Sequence, residues 1–365
     1  MTRALGRLCV LLAVLLFAAS LSACDDDEPP PPTQAPPTAT VDHAARPRAF
    51  QLGVSAQPVE PTEEGYEDAF ALAGQLGELI LIQRAPPWED FLPGGSVSAR
   101  TERLTLIERE LAEEHGLQLL LAVDPTLPSN RGVLAGIPPV LAGEGFASED
   151  LRSAFISYAT YLALNYKPAY LALGVEVDLI FLNRGDASFR NFVSLYFEAY
   201  DAVKNVSPDT KVFPTFQYEN LLGILNDPPT QPAWSLVARF QPKIDVLAVS
   251  SFPRSAFGSI TEVPGDYYDA LTGRFDLPAA FVSVGWGSVV DGSPDESSQL
   301  AYLLRAVAAA DKLQSPFLVW FLARDPETPG DDGSDPLSTM GLLGPLGREK
   351  NILQVWQAQL GRPLR

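Results

Sequence analysis

One apolar run in the sequence ends in a carboxylate: Tyr170-Leu171-Ala172-Leu173-Gly174-Val175-Glu176-Val177. A run of this length and composition suits a strand that is buried on both faces, as in a parallel sheet. Because side chains alternate along a strand, Ala172, Gly174 and Glu176 are expected to share one face. Two small residues below an acid fit the crowded axis of a closed barrel with the acid at its mouth. We therefore predict a barrel strand that presents Glu176 at its carboxyl end.

Seven further apolar runs alternate with amphipathic stretches along the chain. These runs cover residues 50–55, 78–83, 117–123, 211–216, 245–250, 279–284 and 316–321. The stretches between them keep helical spacing, as at Phe189, Phe192, Val193 and Tyr196, and a last helix is predicted at 351–360. Eight strands that alternate with helices over roughly 250–300 residues indicate an α/β protein, a single-domain (β/α)8 TIM barrel. A doubly wound open sheet is the alternative.

The longest connections are predicted on one face of this barrel. Residues 125–146 follow the third run and residues 325–346 follow the eighth, and both segments are rich in glycine and proline. They leave the carboxyl ends of their strands, which is the face where barrel enzymes carry their sites. Loops of this length are usually walls or lids of a site. The alternative is a pair of disordered surface insertions.

The composition limits the classes of partner. The chain has 365 residues, of which 46% are hydrophobic and 10% aromatic, too many for an intrinsically disordered protein. The 45 acidic residues outnumber the 26 basic ones, which gives a formal net charge of −19. A surface of that sign repels nucleic acid, so we expect no nucleic-acid partner.

Histidine and cysteine are scarce. The only histidines are His43 and His115, and the only cysteines are Cys9 and Cys24. This scarcity excludes a Cys/His zinc site in the folded part and a disulfide framework, and His115 is expected in the last turn of a helix. No glycine-rich phosphate-binding motif follows any predicted strand. We therefore expect no metal and no cofactor, and carboxylate chemistry or simple binding remains.

The amino terminus is typical of a secreted, membrane-anchored protein. Residues 8–17 form an apolar run after two arginines, and Leu21-Ser22-Ala23-Cys24 resembles the lipobox of bacterial lipoproteins, in which the cysteine is acylated. The alternative is an ordinary secretory signal that is cleaved after Ala23. We predict a signal peptide at 1–23, a lipidated Cys24 with a proline-rich disordered tether at 24–48, and the barrel at 49–365, outside the cytoplasm.

The end of the fourth run resembles that of the retaining (β/α)8 glycoside hydrolases, such as endo-galactanases and plant-type β-glucanases. In that clan the fourth strand commonly ends in Gly-Asn-Glu, and the glutamate is the general acid/base. Glu176 matches that glutamate, and Val175 stands where the asparagine usually contacts the sugar 2-hydroxyl. The resemblance covers about residues 50–360.

Other predicted strand ends carry the same resemblance. Strand two ends with Arg84, followed by Trp88, and an arginine there is frequent in the clan and orients the nucleophile. Strand six reads Val249-Ser250-Ser251-Phe252-Pro253, similar to Ser-Tyr-Tyr-Pro in galactanase-like members. Strand seven reads Phe281-Val282-Ser283-Val284-Gly285-Trp286, which looks like the Glu-Thr-Gly-Trp segment with Ser283 in place of the nucleophilic glutamate.

The substitution at Ser283 determines the predicted chemistry. Retaining hydrolysis needs two carboxyl groups about 5–5.5 Å apart, and a serine without a histidine base is a poor replacement for one of them. Inversion would instead need a base roughly 6.5–9.5 Å from Glu176 with a water between them. The candidate bases are Asp124, Asp178, Glu219 and Asp325. Alternatively, Glu176 is a buried acid paired with Arg84 and now purely structural.

Aromatic strand ends indicate carbohydrate binding. Trp88, Trp286 and Trp320 lie at predicted carboxyl ends, where flat rings suit stacking on sugar faces; the alternative is that they line the barrel top. The residues expected to contact substrate are Arg84, Trp88, Val175, Glu219, Phe252, Trp286, Trp320 and Asp325.

Three functions remain open. The first is a tethered glycan-binding barrel, with a polysaccharide or oligosaccharide ligand, that has lost retaining catalysis. The second is an active glycoside hydrolase with Glu176 as general acid and a relocated base. The third is a non-catalytic scaffold lipoprotein of the bacterial cell envelope. A second carboxylate within about 10 Å of Glu176 in an open cleft favours the hydrolase. A cleft lined by the strand-end tryptophans favours the glycan-binding barrel, and a cleft filled by the two long loops favours the scaffold.

Overall fold

The computed structural model describes residues 46–55, 58, 62–290, 292–327 and 336–365. The predicted signal peptide, the lipidated Cys24 and nearly all of the tether lie outside the described residues. Within the described ranges, no helix has both the length and the apolar character needed to cross a bilayer.

A cylinder of parallel strands forms the centre of the molecule. Its strands are β1 (Gln51–Val54), β2 (Leu79–Arg84), β3 (Gln118–Val123), β4 (Tyr170–Leu173), β5 in two segments (Lys211–Phe213 and Thr215–Gln217), β6 (Leu247–Ser251), β7 (Ala279–Val284) and β8 (Phe317–Trp320). In space the sheet runs from the first segment of β5 through β4, β3, β2, β1, β8, β7 and β6 to the second segment of β5.

The cylinder is closed. Only Pro214 separates the two segments that end the sheet, and proline has no N–H with which to continue a ladder. Backbone hydrogen bonds also tie β5 to the end of β4, with Thr215 N donating to Gly174 O at 3.0 Å. The predicted (β/α)8 TIM barrel is therefore confirmed, and the open-sheet alternative is wrong.

Helices surround the barrel strands. They are α1 (Glu63–Leu76), α2 (Trp88–Phe91), α3 (Ala99–Glu114), α4 (Glu149–Tyr166), α5 (Asp178–Val206), α6 (Tyr218–Leu221), α7 (Trp234–Ala238), α8 (Glu296–Leu313) and α9 (Asn351–Leu360). The last helix has the predicted bounds, and His115 caps the carboxyl end of α3 as expected. The apolar faces of strands and helices form one buried core.

The fourth strand is shorter than its apolar run. It ends at Leu173, and the backbone then turns through Gly174 at φ +106° and Glu176 at φ +49°. A β-carbon on Gly174 would lie 2.5 Å from the ring of Phe192, so only glycine fits this turn. The expectation that Ala172, Gly174 and Glu176 share one face of a single strand is wrong beyond Leu173, where the strand ends. The turn, rather than the pleat, directs Glu176.

The third-strand loop is ordered throughout. It forms an antiparallel hairpin, Thr126–Leu127 with Asn130–Leu134, followed by a 3-10 turn at Pro139–Leu141. A second short pair, Val289–Val290 with Ser293–Pro294, precedes α8. Part of the eighth-strand loop, residues 328–335, lies outside the described residues.

Candidate functional site at the barrel mouth

Both carboxylate oxygens of Glu176 accept hydrogen bonds at the mouth of the barrel. Ser250, at the end of β6, donates its hydroxyl to Oε1 at 2.7 Å. Arg131, in the third-strand hairpin, donates Nε and Nη2 to Oε2 at 3.2 and 3.1 Å. The Glu176 side chain is 16% exposed, so it lies at the edge of the solvent with both oxygens engaged.

Arg131 joins Glu176 to a second carboxylate. Its Nη1 donates to both oxygens of Asp124 at 2.7 Å, and its side chain is only 5% exposed. Gln83 adds a hydrogen bond of 2.8 Å to Asp124. Burial raises the pKa of Asp124, although the guanidinium opposes that shift. The hairpin therefore inserts a cation between two acids of the mouth.

Arg131 is not among the predicted site residues, because it lies on the hairpin that follows β3 and not at the end of a barrel strand. One signal was available: Arg131 is the only basic residue between positions 125 and 146. A single cation in a glycine- and proline-rich segment beside acidic strand ends is a candidate partner for those acids.

Ser283 lies on β7 directly beside this cluster. In the strand register it pairs with Ser250, the residue that donates to Glu176. The Ser283 side chain is half-buried. Glu176 and Ser283 therefore occupy the same rim of one closed cylinder.

Asp178 is completely buried at the start of α5. It accepts hydrogen bonds from Gln217 N at 2.9 Å and from Asn220 Nδ2 at 2.6 Å. Burial raises the pKa of Asp178 to about 7, and the nearby charge of Glu176 adds to the shift. Without solvent contact this acid has no access to a water at the mouth.

Glu219 is also completely buried. Its oxygens accept from Ser251 Oγ at 2.6 Å, Tyr267 Oη at 2.9 Å and Phe252 N at 3.2 Å, and burial raises its pKa. The side chain holds the loop after β6 against the barrel. The expectation that Glu219 contacts substrate or activates a water is corrected, because no solvent-facing surface remains.

Asp325 forms a buried ion pair with Lys350. The Lys350 Nζ lies 2.5 Å from Asp325 Oδ2, and Gly341 N donates to Oδ1 at 2.6 Å. Burial raises the pKa of Asp325. This pair fastens the eighth-strand loop, so the expected substrate contact at Asp325 is also corrected.

Arg84 points away from the mouth. It forms an ion pair with the buried Glu108 of α3, whereas its neighbour Gln83 reaches Asp124 inside the mouth. Side chains alternate across a strand, so adjacent residues face opposite sides of the barrel wall. The predicted pairing of Arg84 with Glu176 is wrong, and Arg131 supplies the cation instead.

The three strand-end tryptophans are buried. Trp88 is 1% exposed and Trp286 and Trp320 are 0% exposed. The indole of Trp88 donates to Ala135 O at 2.7 Å and that of Trp320 to Met340 O at 2.6 Å. The three rings are therefore packed into the protein, and the predicted stacking of a sugar on them at the barrel mouth is corrected. Val175, at 7% exposure, is likewise buried.

Two half-buried phenylalanines take the place of the tryptophans at the rim. Phe252 follows β6 and Phe321 follows β8, and their rings meet edge to face at 5.4 Å. These strands flank β7, which carries Ser283. Phe252 was among the predicted contacts, whereas Phe321 was missed; the same alternation that buries Trp320 exposes the residue after it.

The fold of this chain matches those of solved glycoside hydrolases. An exo-β-1,4-mannosidase from Opitutaceae bacterium strain TAV5 gives a TM-score of 0.65 at 16% identity, over 87% of this chain and 61% of the mannosidase. A variant of GH5_18 from Streptomyces cattleya, in complex with Manβ1-4GlcNAc, gives 0.65 at 16% identity, over 85% of this chain and 80% of that one.

A further match extends over almost the whole of the other protein. The β-glycosidase from the hyperthermophile Thermosphaera aggregans gives a TM-score of 0.60 at 14% identity, over 88% of this chain and 98% of that one. No protein-family model and no curated protein matches the sequence. The chain thus has the (β/α)8 barrel fold of these glycoside hydrolases, and the predicted resemblance is confirmed for the fold.

Proposed function

We propose that this protein binds carbohydrate at its barrel mouth without retaining hydrolysis, and that a lipid on Cys24 holds it to a membrane outside the cytoplasm. The observation that carries the proposal is the pairing of Ser283 with Ser250 beside Glu176. A serine at this position leaves Glu176 without the second carboxylate that would attack the anomeric carbon.

The state of Glu176 also argues against hydrolysis. A general acid presents a proton to the leaving oxygen, but here one carboxylate oxygen faces the Arg131 guanidinium and the other accepts from Ser250. No imidazole is available to activate Ser283 within the described residues, since His115 ends α3 and the other histidine, His43, lies outside them.

Inverting hydrolysis would need a carboxylate base that can activate a water near Glu176, and none of the four candidate acids is available for that role. Asp178 and Glu219 are completely buried, Asp325 is paired with Lys350, and Asp124 is paired with Arg131. Each of these acids is already bound by donors from the protein. The active inverting hydrolase is therefore the less favoured function.

Carbohydrate as the ligand rests on two observations. The fold matches that of a GH5_18 variant in complex with Manβ1-4GlcNAc. At the rim of this chain, Phe252 and Phe321 follow the two strands that flank β7, and their half-buried rings offer an apolar surface at the same end of the barrel as the hydroxyl of Ser250. Membrane attachment rests on the sequence Leu21-Ser22-Ala23-Cys24 alone.

Hydrolysis and binding are measured on the same protein. Calorimetric titration with oligosaccharides of β-mannan, β-glucan, galactan and arabinan, and with Manβ1-4GlcNAc, is compared with sugar release from the same panel. We expect binding of at least one glycan, no release above the buffer rate, and the same absence of release for Glu176→Gln. Release that disappears in Glu176→Gln would contradict the proposal and favour the hydrolase.

Two matched variants locate the binding surface. Phe321→Ala should weaken glycan binding roughly tenfold, equivalent to about 1.4 kcal/mol. Phe197→Ala removes a half-buried ring on the outer helix α5 and should leave binding unchanged. Equal affinities for the two variants would remove the mouth as the binding site.

The anchor is tested separately. Cells that express the wild-type chain should incorporate labelled palmitate into it, and Cys24→Ala should abolish the incorporation. Unchanged labelling in Cys24→Ala would refute the lipoprotein assignment and leave the mouth proposal intact.

A further inference from the structure

A cavity lies outside the barrel wall, between α3 and α4. Its volume is about 530 Å³, within the range of roughly 300–1,000 Å³ that small-ligand sites occupy. The α2 turn and Gly136, from the third-strand loop, complete its lining. Nothing in the chemistry of the mouth uses this cavity, because Arg84 and Trp88, which line it, face away from Glu176.

Two polar groups in the cavity have unused hydrogen-bonding capacity. Tyr158 is 3% exposed, yet its hydroxyl has no hydrogen-bond partner among the residues that the structure describes. The Tyr158 oxygen is not one of the fully enclosed polar atoms that lack a partner, so it is reached from the cavity and can form a hydrogen bond with a ligand there. Arg84 is 27% exposed, and its side chain bonds only Glu108, through Nη2, within the described ranges. Its Nε and Nη1 are left for a ligand.

The charges around the cavity do not favour an anion. The buried carboxylate of Glu108, on α3, forms an ion pair with Arg84 and offsets its charge. At the rim, the exposed Arg100 is offset by the exposed Glu89 and by Asp90. Burial raises the pKa of Tyr158 to about 12, so this phenol is neutral and able to donate at pH 7. A ligand that fits this balance is uncharged and offers oxygen acceptors.

The remaining walls are aromatic and apolar. Tyr161 and Tyr166 contribute rings, and Leu104 and Leu162 contribute aliphatic surface. The tyrosine hydroxyls are already used, since Tyr161 pairs with Thr105 at 2.9 Å and Tyr166 donates to Glu108 at 2.6 Å. Ring walls with a few convergent donors suit a compact ring that carries hydroxyl groups.

We propose that this cavity is a second carbohydrate site, which takes one uncharged sugar residue through Tyr158 and Arg84 while the mouth binds separately. The site lies on the outer wall, and its existence does not require binding at the mouth.

Binding of N-acetylglucosamine, methyl β-mannoside and methyl β-galactoside to the full chain is measured by ligand-observed NMR titration. Tyr158→Phe removes only the unpaired hydroxyl and should weaken the binding of at least one of these sugars about fivefold. Leu104→Trp places a larger side chain from α3 in the cavity and should abolish the sugar binding that depends on Tyr158. The matched control, Tyr170→Phe, changes a tyrosine at the amino-terminal end of β4 and should leave every affinity unchanged.

The outcomes separate the two sites. Binding that is lost in Phe321→Ala but unchanged in both Tyr158→Phe and Leu104→Trp would overturn the second site and leave the mouth proposal standing. Binding lost in the cavity variants but kept in Phe321→Ala would support the second site even if the mouth binds nothing. Benzoate that binds in a Tyr158-dependent manner, with none of the three sugars binding so, would also overturn the proposal, because it identifies an anion site.

Discussion

Arg131→Met is the substitution that most directly perturbs the mouth. The methionine keeps much of the side-chain volume but removes the donors to Asp124 at 2.7 Å and to Glu176 at 3.1 and 3.2 Å. Asp124 is 5% exposed and Glu176 16% exposed, so two acids would be left close together with little water around them.

The expected cost follows from this burial. Removing one partner of a buried ion pair typically destabilises a protein by about 3–5 kcal/mol, since the remaining charge is uncompensated. The cost should depend on pH. The folded-state pKa of Asp124 is already raised by burial, and loss of the guanidinium raises it further. A group with a raised folded pKa stabilises the protein in its protonated form, and that stability is lost as pH rises. The penalty of Arg131→Met should therefore be largest near neutral pH and shrink towards pH 4.

Urea unfolding of wild type and variant at pH 7.5 and pH 4.5 measures this prediction. The control is Arg190→Met, which breaks an exposed ion pair with Asp186 on α5 and should change stability by less than about 0.5 kcal/mol. A loss for Arg131→Met no larger than that of the control, or a loss that grows as pH falls, would refute the ion-pair reasoning.

Three further predictions concern other parts of the barrel. Asp178→Asn should flatten the pH dependence of stability, because the folded-state pKa of Asp178, about 7, lies above its unfolded value. Wild type should therefore lose stability relative to the variant as pH rises from about 4 to 7, by up to roughly 1.4 kcal/mol per pH unit. Urea midpoints that change with pH in parallel for the two proteins would contradict this. Gly174→Ala should lower the free energy of unfolding by at least about 1–3 kcal/mol, which is the cost of the backbone strain alone at a φ of +106°. The new β-carbon would also overlap the ring of Phe192. An unchanged urea midpoint would show that the turn relaxes. Trp320→Ala should cost about 3–5 kcal/mol in urea unfolding, while Trp320→Phe should leave glycan affinity unchanged; a loss of affinity in Trp320→Phe would mean that the indole reaches the ligand.

The barrel itself could be predicted from the sequence, because each apolar run is long enough to be a buried strand and the helices between the runs are amphipathic. The placement of Glu176, Ser250 and Ser283 on one rim follows from the same pattern, since parallel strands end on the same face.

The detailed contacts of the mouth could not be predicted in this way. Neighbouring side chains on a strand face opposite sides of the barrel wall, and the apolar pattern does not specify which of them faces the mouth. At the end of β2 it is Gln83 rather than Arg84, and after β8 it is Phe321 rather than Trp320 that lies at the rim. The turn at Gly174 changes the direction of the chain before Glu176. Arg131 reaches the mouth from a hairpin, and no repeating pattern in the sequence predicts that a hairpin residue will contact the end of a barrel strand.

Covalent trapping tests the central claim most directly, namely that a serine occupies the nucleophile position beside Glu176 and retaining hydrolysis is absent. A 2-deoxy-2-fluoro-β-mannosyl fluoride forms a stable glycosyl ester with the nucleophile of a retaining mannosidase, which serves as the positive control, and intact-mass spectrometry detects the adduct. We expect the mass of this protein to remain unchanged after prolonged incubation. An adduct on a carboxylate of the barrel mouth would contradict the account.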